Sequence, residues 1–211
     1  MAEMLVALID LSRFPDSGWE ALPEVAAAVD AILLRGKSWG ASALLRAGER
    51  VRRQAPKTPL WVAERLEVAL ALEAEGWHIP ADGLDVGRLR RFWSRRLSAA
   101  VHTPEEAQGK AGADYWIWGH AFPTTSKPGL APRSLSTLSH VLTRATCPVL
   151  AIGGIAPDNV GRLAGWGLSG VVVQDGIWAQ PHPPDAARAL ARAVQRADWR
   201  QGGIHAADDQ R

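Results

Sequence analysis

The sequence contains one cysteine, Cys147. A lone thiol forbids an internal disulfide and removes any cysteine-based zinc site. It stands before Pro148 at the head of an apolar run, the setting of a small core residue rather than of a nucleophile. A charge excess is also missing: 24 Lys and Arg against 22 Asp and Glu leave a formal net charge of +2. That balance gives no electrostatic case for nucleic acid or an acidic membrane surface, and the scattered arginines read as solvated helix faces. No apolar run is long enough to span a bilayer. The first, Met4–Ile9, stops at Asp10 and lacks the basic leader of a signal peptide. The chain is therefore expected to be soluble and cytoplasmic, with neither nucleic acid nor membrane as a partner. There is no linker rich in Pro, Gly or Ser and no internal repeat, and the ten tryptophans are dispersed over the 211 residues. One domain is predicted over residues 1–200, followed by a polar, frayed tail over 201–211.

What is present is regular. Hydrophobic residues make up 47% and charged residues 22%, an ordinary globular balance with enough apolar material for a substantial core. Short apolar runs alternate with stretches of helical period. Strands are predicted at Met4–Ile9, Ala31–Leu34, Pro59–Val62, Gly76–Ile79, Leu97–Val101, Asp114–Trp118, Pro148–Ile152 and Gly170–Val173. Helices are predicted between them at Trp19–Val29, Ala41–Gln54, Glu64–Glu75, Leu84–Trp93, Thr103 to about Gly112, about Ser134 to Arg144, and Pro157–Trp166. A short turn or helix near Gly176–Ala179 leads to a last helix at Pro184–Arg196. Thr103-Pro104-Glu105-Glu106 is a capping box with proline at the first helical position. Eight strand–helix pairs in one domain predict an α/β fold, a single (β/α)8 TIM barrel, with a doubly wound open sheet as the alternative. No Rossmann glycine fingerprint follows an early strand, which counts against the open sheet.

In such a barrel the site lies at the C-terminal ends of the strands. Residues with chemistry collect there: Arg35 and Lys37 after the second strand, Glu64 after the third, His78 after the fourth and His102 after the fifth. After the sixth comes His120, in the stretch Gly119-His120-Ala121-Phe122-Pro123-Thr124-Thr125-Ser126-Lys127, with Arg133 beyond it. Gly153-Gly154 follows the seventh strand and Asp175-Gly176 the eighth. Backbone N–H groups at loops seven and eight commonly bind phosphate. Three histidines after strands four to six could ligate a metal, but backbone partners satisfy such residues more often, and no metal site is assigned. His140, His182 and His205 read as surface residues. By simple alternation Trp116, Trp118 and His120 share one face. Two tryptophans would crowd a narrow barrel, so a bend at Gly119 is expected to reset the register.

These stretches resemble the thiamine phosphate synthase superfamily, and within it the TenI-like thiazole tautomerase branch. The matching segments are Val29–Lys37, Val62–Leu72 through Pro80, Val101–Ala107, the sixth strand with its loop, and Pro148–Ile155. Tautomerases of this kind read Gly-His at Gly119-His120, where the synthases read Gly-Pro. The synthases also carry Asn-Asp after the third strand and Asp after the fourth to hold a magnesium pyrophosphate; here Ala63-Glu64 and His78-Ile79-Pro80-Ala81-Asp82 stand in their place. The resemblance therefore implies an isomerase of thiamine biosynthesis that aromatises a thiazole carboxylate phosphate by proton transfer through His120. Lys127, Thr124 and Thr125 would hold the substrate carboxylate. Gly153-Gly154 and Asp175-Gly176 would hold its phosphate, and Arg35 and Lys37 either contact the ligand or pair with Glu64. The implied partner is a small phosphorylated thiazole, with no cofactor. The alternatives are the synthase reaction itself and a non-catalytic ligand-binding paralogue. Two positions depart from the branch: Gly36 replaces an acidic residue and Asp175 a serine. A carboxylate at 175 repels phosphate unless it turns away to cap the short helix, and Trp178 is bulky beside it. Dimers are common among soluble enzymes, but the sequence marks no interface, so a homodimer is left open.

Overall fold

The computed structural model describes residues 3–199; the predicted tail, Gln201–Arg211, lies outside them. Eight parallel strands close into a barrel in sequence order. They are β1 (Met4–Asp10), β2 (Ala31–Arg35), β3 (Leu60–Ala63), β4 (Gly76–Ile79), β5 (Arg96–Ala100), β6 (Tyr115–Gly119), β7 (Val149–Ile152) and β8 (Gly170–Val173). The ring closes where Met4 to Ala7 register against Gly170 to Val173. The α-helices outside are α1 (Gly18–Ala26), α2 (Ala41–Gln54), α3 (Leu66–Ala71), α4 (Val86–Leu89), α5 (Leu135–Leu142), α6 (Asp175–Trp178) and α7 (Pro183–Arg196). Among the described residues no helix is long and apolar enough to cross a membrane.

Several connections are shorter than their sequence pattern predicts. Glu106–Lys110 and Val160–Leu163 are single 3-10 turns. The capping box before the first of them forms only in a shifted register: the Glu106 amide points at the Thr103 hydroxyl at 3.5 Å, but the Glu106 carboxylate accepts from the His102 amide at 2.6 Å rather than from that of Thr103. It caps a segment interrupted by Gly109 and Gly112, too poor in helix propensity to propagate. Over Pro157–Trp166, Asn159 holds the N-cap position of the 3-10 turn but makes no side-chain cap bond to it. Its side chain accepts from the Ala156 amide and donates to the Gly154 carbonyl, while Gly161 and Gly165 weaken the turn that follows. The predicted helix Leu84–Trp93 shrinks to α4, capped by Asp85 on the Gly87 amide at 3.2 Å.

Strand alternation divides the core into two layers. Outward residues such as Ile9, Leu34, Val62 and Val171 pack under the helices. Inward residues, among them Val6, Leu8, Leu33, Ile117, Leu150 and Val172, fill the barrel. Trp116 and Trp118 belong to the outer layer, so the barrel is not crowded by them. One tryptophan does stand inside. Trp61 is 1% exposed and lies against Tyr115 with ring centroids 5.6 Å apart. Its register partner on β4 is Gly76, where an added Cβ would sit 2.4 Å from the indole. Gly76, which opens the strand after the predicted helix Glu64–Glu75, is what gives the barrel room for that ring.

Candidate active site

A cavity of about 910 Å³ opens at the C-terminal ends of the strands. Its floor is the top of the inner core, formed by Leu8, Leu33, Ala63, Ile117 and Val172. All ten residues predicted for the site line it: Arg35, Lys37, His120, Thr124, Thr125, Lys127, Gly153, Gly154, Asp175 and Gly176. They come from the ends of four strands, β2, β6, β7 and β8, and meet only because the barrel closes.

Arg35 ends β2 directly beside Asp10 of β1. Its Nε lies 3.7 Å from Asp10 and 4.0 Å from Glu64, and that nitrogen is buried without a hydrogen-bond partner. Arg35 thus pairs loosely with Glu64 while lining the cavity. Lys37 is exposed at the rim. Lys127 enters from the β6 loop, on the side of the ring opposite β2. Burial first, then the charges of Arg133 and Arg35, push its amine below the ordinary lysine value. Cations that raise one another's energy across a cavity are relieved by an anion between them. Arg133 itself is a brace: its Nε donates to the Gly119 carbonyl at 2.7 Å and its amide to the His120 carbonyl at 3.0 Å.

His120 does not follow Trp116 and Trp118 to the outer face. The alternation breaks at Gly119, as the crowding argument required, and the Gly119–His120 peptide is cis. The imidazole is 6% exposed. Its Nε2 lies 3.3 Å from the Leu130 carbonyl, while Nδ1 is buried without a partner. A carbonyl can only accept, so the neutral ring carries its proton on Nε2 and its lone pair on Nδ1. Gly153 and Gly154, both at positive φ, let the β7 loop press against the β6 loop. Added Cβ atoms would meet the His120 Cβ at 2.3 Å and the Pro123 carbonyl oxygen at 2.3 Å. Their first role is thus this close approach, which also brings the backbone to the cavity wall.

His78 and His102 line the same cavity. The His78 Nδ1 is 3.0 Å from the Ser98 hydroxyl, a side-chain partner where a backbone one was expected. Burial, with smaller contributions from the Arg35, His102 and Lys110 charges, pulls its pKa from 6.5 down to about 3. Burial likewise lowers that of His102, against the opposing pull of Glu106. Cys147 is half-buried, and burial raises its thiol to about 12, which leaves it inert at neutral pH. His140 and His182 are exposed; His205 lies outside the described residues.

His78 carries a pH prediction. Its folded pKa lies below the unfolded one, so the unfolded chain binds the extra proton and stability falls as pH drops from about 6.5 toward 3. Each pH unit in that window is worth up to about 1.4 kcal/mol. Between pH 7 and pH 5, denaturant unfolding should cost the native protein roughly 2 kcal/mol more than it costs His78→Gln. Equal losses would show that His78 is not the acid-sensitive group.

One partner of the predicted site residues escaped the sequence. Arg13, in the loop after β1, lines the cavity. Its Nη2 donates to the Asp175 carboxylate at 2.8 Å and to the Thr125 hydroxyl, which itself donates to Asp175 at 2.7 Å. Its only signal was its place just past the first strand. Asp175 does not cap α6, whose cap position is Gln174; it pairs with Arg13 and Thr125, which line the cavity with it. Trp178 does not obstruct the site: it is 4% exposed, its indole N–H donates to the Leu8 carbonyl at 2.8 Å, and it packs edge-on against Phe14.

Comparison with known proteins agrees with the barrel fold. The family model described as thiamine monophosphate synthase matches residues 16–177. A thiamine-phosphate synthase of Roseiflexus castenholzii is 38% identical over 175 residues, 79% of this chain and 77% of that protein. One of Enterococcus faecalis is 31% identical over 206 residues, 93% of this chain and 97% of that protein. Among solved structures, a thiamine phosphate pyrophosphorylase of Pyrococcus furiosus superposes with a TM-score of 0.78 at 25% identity, covering 90% of this chain and 95% of that one. A 3-hexulose-6-phosphate synthase shares the fold, with a TM-score of 0.69 at 20% identity and coverage of 90% and 99%.

Proposed function

This chain belongs to the thiamine monophosphate synthase family, and we propose that its barrel mouth joins a pyrimidine pyrophosphate to a thiazole phosphate, yielding thiamine phosphate. Motif comparison alone ranks proton transfer on the thiazole above this condensation. The relatives named above are synthases, which reverses the order. The observation that carries the reading is one roomy cavity with cations on opposed sides, Arg35 and Lys37 facing Lys127. At about 910 Å³ it lies near the upper end of the ~300–1,000 Å³ usual for ligand pockets. Two small phosphorylated molecules fill such a space better than one thiazole does.

In the condensation the thiazole nitrogen lone pair forms a bond to the pyrimidine's methylene carbon. The bond from that carbon to the pyrophosphate oxygen breaks, and its electrons leave with the pyrophosphate. Negative charge grows on the leaving group, where fixed cations lower the barrier; Arg35, Lys37 and Lys127 are suited to that task. The apolar floor of Leu8, Leu33, Ile117 and Val172 keeps water from the reacting carbon. The family's magnesium would meet two hard oxygen donors, Glu64 and Asp82, on adjacent loops of the same cavity. Among the described residues no group of three or more His, Cys, Asp or Glu could hold an ion. The donor set therefore suits a metal that arrives with the pyrophosphate, since Mg²⁺ takes one or two carboxylates and completes its shell with phosphate oxygens and water. Bound there, it would neutralise pyrophosphate charge.

A second reading, the thiazole tautomerase, is favoured by one feature: the buried, partnerless Nδ1 of His120 at the cavity wall. A lone pair placed so could take a proton from one ring carbon and return it to another. His120→Ala separates the two. Under the condensation reading, thiamine phosphate formation falls by less than about tenfold, because no step needs that base. A loss of roughly 10²–10⁴-fold in proton exchange on the thiazole carboxylate phosphate, the usual worth of one acid–base group, with no thiamine phosphate formed by the native protein, would instead support the tautomerase.

A further inference from the structure

Arg13, Thr125 and Asp175 form a closed triangle at the rim of the cavity. One guanidinium nitrogen, Nη2 of Arg13, and one hydroxyl, Thr125 Oγ1, both donate to the same acceptor, Asp175 Oδ2, and Nη2 also donates to Thr125. The three residues come from the loops after β1, β6 and β8, so the contact ties together strands that are distant in sequence. A guanidinium and a hydroxyl converging on one anionic oxygen is the arrangement by which proteins hold a phosphate oxygen. Here the anion is supplied by the chain itself.

We propose that Arg13 and Thr125 form an anion subsite in which Asp175 is the built-in occupant, and that a ligand phosphate binds by displacing this carboxylate. The inference rests on the reading that the mouth takes phosphorylated substrates, and it adds how their affinity is set. Displacement is easy because the ion pair is shallow: the Arg13 and Asp175 side chains are 31% and 33% exposed, and pairs so accessible to water contribute little. A phosphate dianion brings more charge and more acceptor oxygens than a carboxylate, so it outcompetes Asp175 for Arg13. Thr125 then donates to the phosphate, and the β6 loop stays pinned by ligand rather than by protein. Until that exchange the triangle holds the loop in place. The subsite therefore binds phosphate more weakly than it would with a neutral side chain at 175, and Asp175 sets the threshold.

The test is the dissociation constant of inorganic phosphate for the full chain, read by calorimetry for the native protein, Asp175→Asn and Arg13→Gln. Removing the carboxylate's charge should tighten phosphate binding by on the order of tenfold. Arg13→Gln should weaken it several-fold, and the double variant should behave like Arg13→Gln. Asp175→Ser, with matched melting curves, guards against an effect peculiar to asparagine. Unchanged or weaker binding in both position-175 variants overturns the proposal, and so does an absence of phosphate binding in all of them. Thiamine phosphate formation by the native protein is recorded in parallel. Product without the Asp175 effect defeats the subsite alone; the Asp175 effect without product defeats the condensation reading alone.

Discussion

Replacing Arg35 with Met is expected to lower kcat/KM for the condensation by about 10²–10³-fold, the usual cost of removing one group aimed at developing charge. Met keeps most of the side chain's length and apolar stem, so the change removes chiefly the charge. The loss should fall mainly on kcat, because the charge that Arg35 answers grows as the bond to pyrophosphate breaks. Folding should be little affected. The contacts of Arg35 with Asp10 and Glu64 are long, 3.7 and 4.0 Å, and its side chain is 39% exposed, so they add little stability. Arg35→Lys restores the charge without the planar fork and should recover part of the rate. Steady-state kinetics of the three proteins checks this. A loss below about threefold in Arg35→Met would remove Arg35 from the reaction.

Trp61→Ala is expected to destabilise the fold by about 3–5 kcal/mol, the range for deleting a large buried aromatic. The ring fills the inside of the barrel against Tyr115, on a strand of only four residues, and little around it can collapse into the gap. Gly76→Ala attacks the same contact from the other side. Its new methyl would press on the indole from 2.4 Å, and overpacking of this kind costs about 1–3 kcal/mol. Because both changes disturb one contact, the double variant should be less destabilised than the sum of the two. Urea unfolding of the set measures it. A loss below about 1 kcal/mol for Trp61→Ala would mean that the inner layer is not the core described.

The barrel was legible because its signals are local and repeated. Each strand is a short apolar run whose two faces are both buried, and the eightfold alternation with helical periods leaves few topologies. The cavity residues were legible for a related reason: a closed barrel brings every strand end to one rim, so knowing the strands located Arg35, His120 and Lys127 together. Sequence read less well where an outcome depends on contacts across the ring. Trp61 looks like any apolar strand residue until Gly76 is seen beside it. Arg13 sits in an ordinary loop until Asp175 and Thr125 arrive from the far side of the chain. The helices of Leu84–Trp93 and Pro157–Trp166 were overdrawn because apolar spacing persists through glycines, Gly87, Gly161 and Gly165, that weaken the backbone helix.

The central claim is that this mouth joins two phosphorylated substrates. The most direct measurement is proton NMR in D₂O of the purified protein with magnesium, the pyrimidine pyrophosphate and the thiazole phosphate, beside a sample that holds the exocyclic tautomer of the thiazole carboxylate phosphate. The account predicts that thiamine phosphate signals grow while the pyrimidine pyrophosphate is consumed. No thiamine phosphate, with deuterium entering the thiazole ring as the exocyclic double bond disappears, would contradict it.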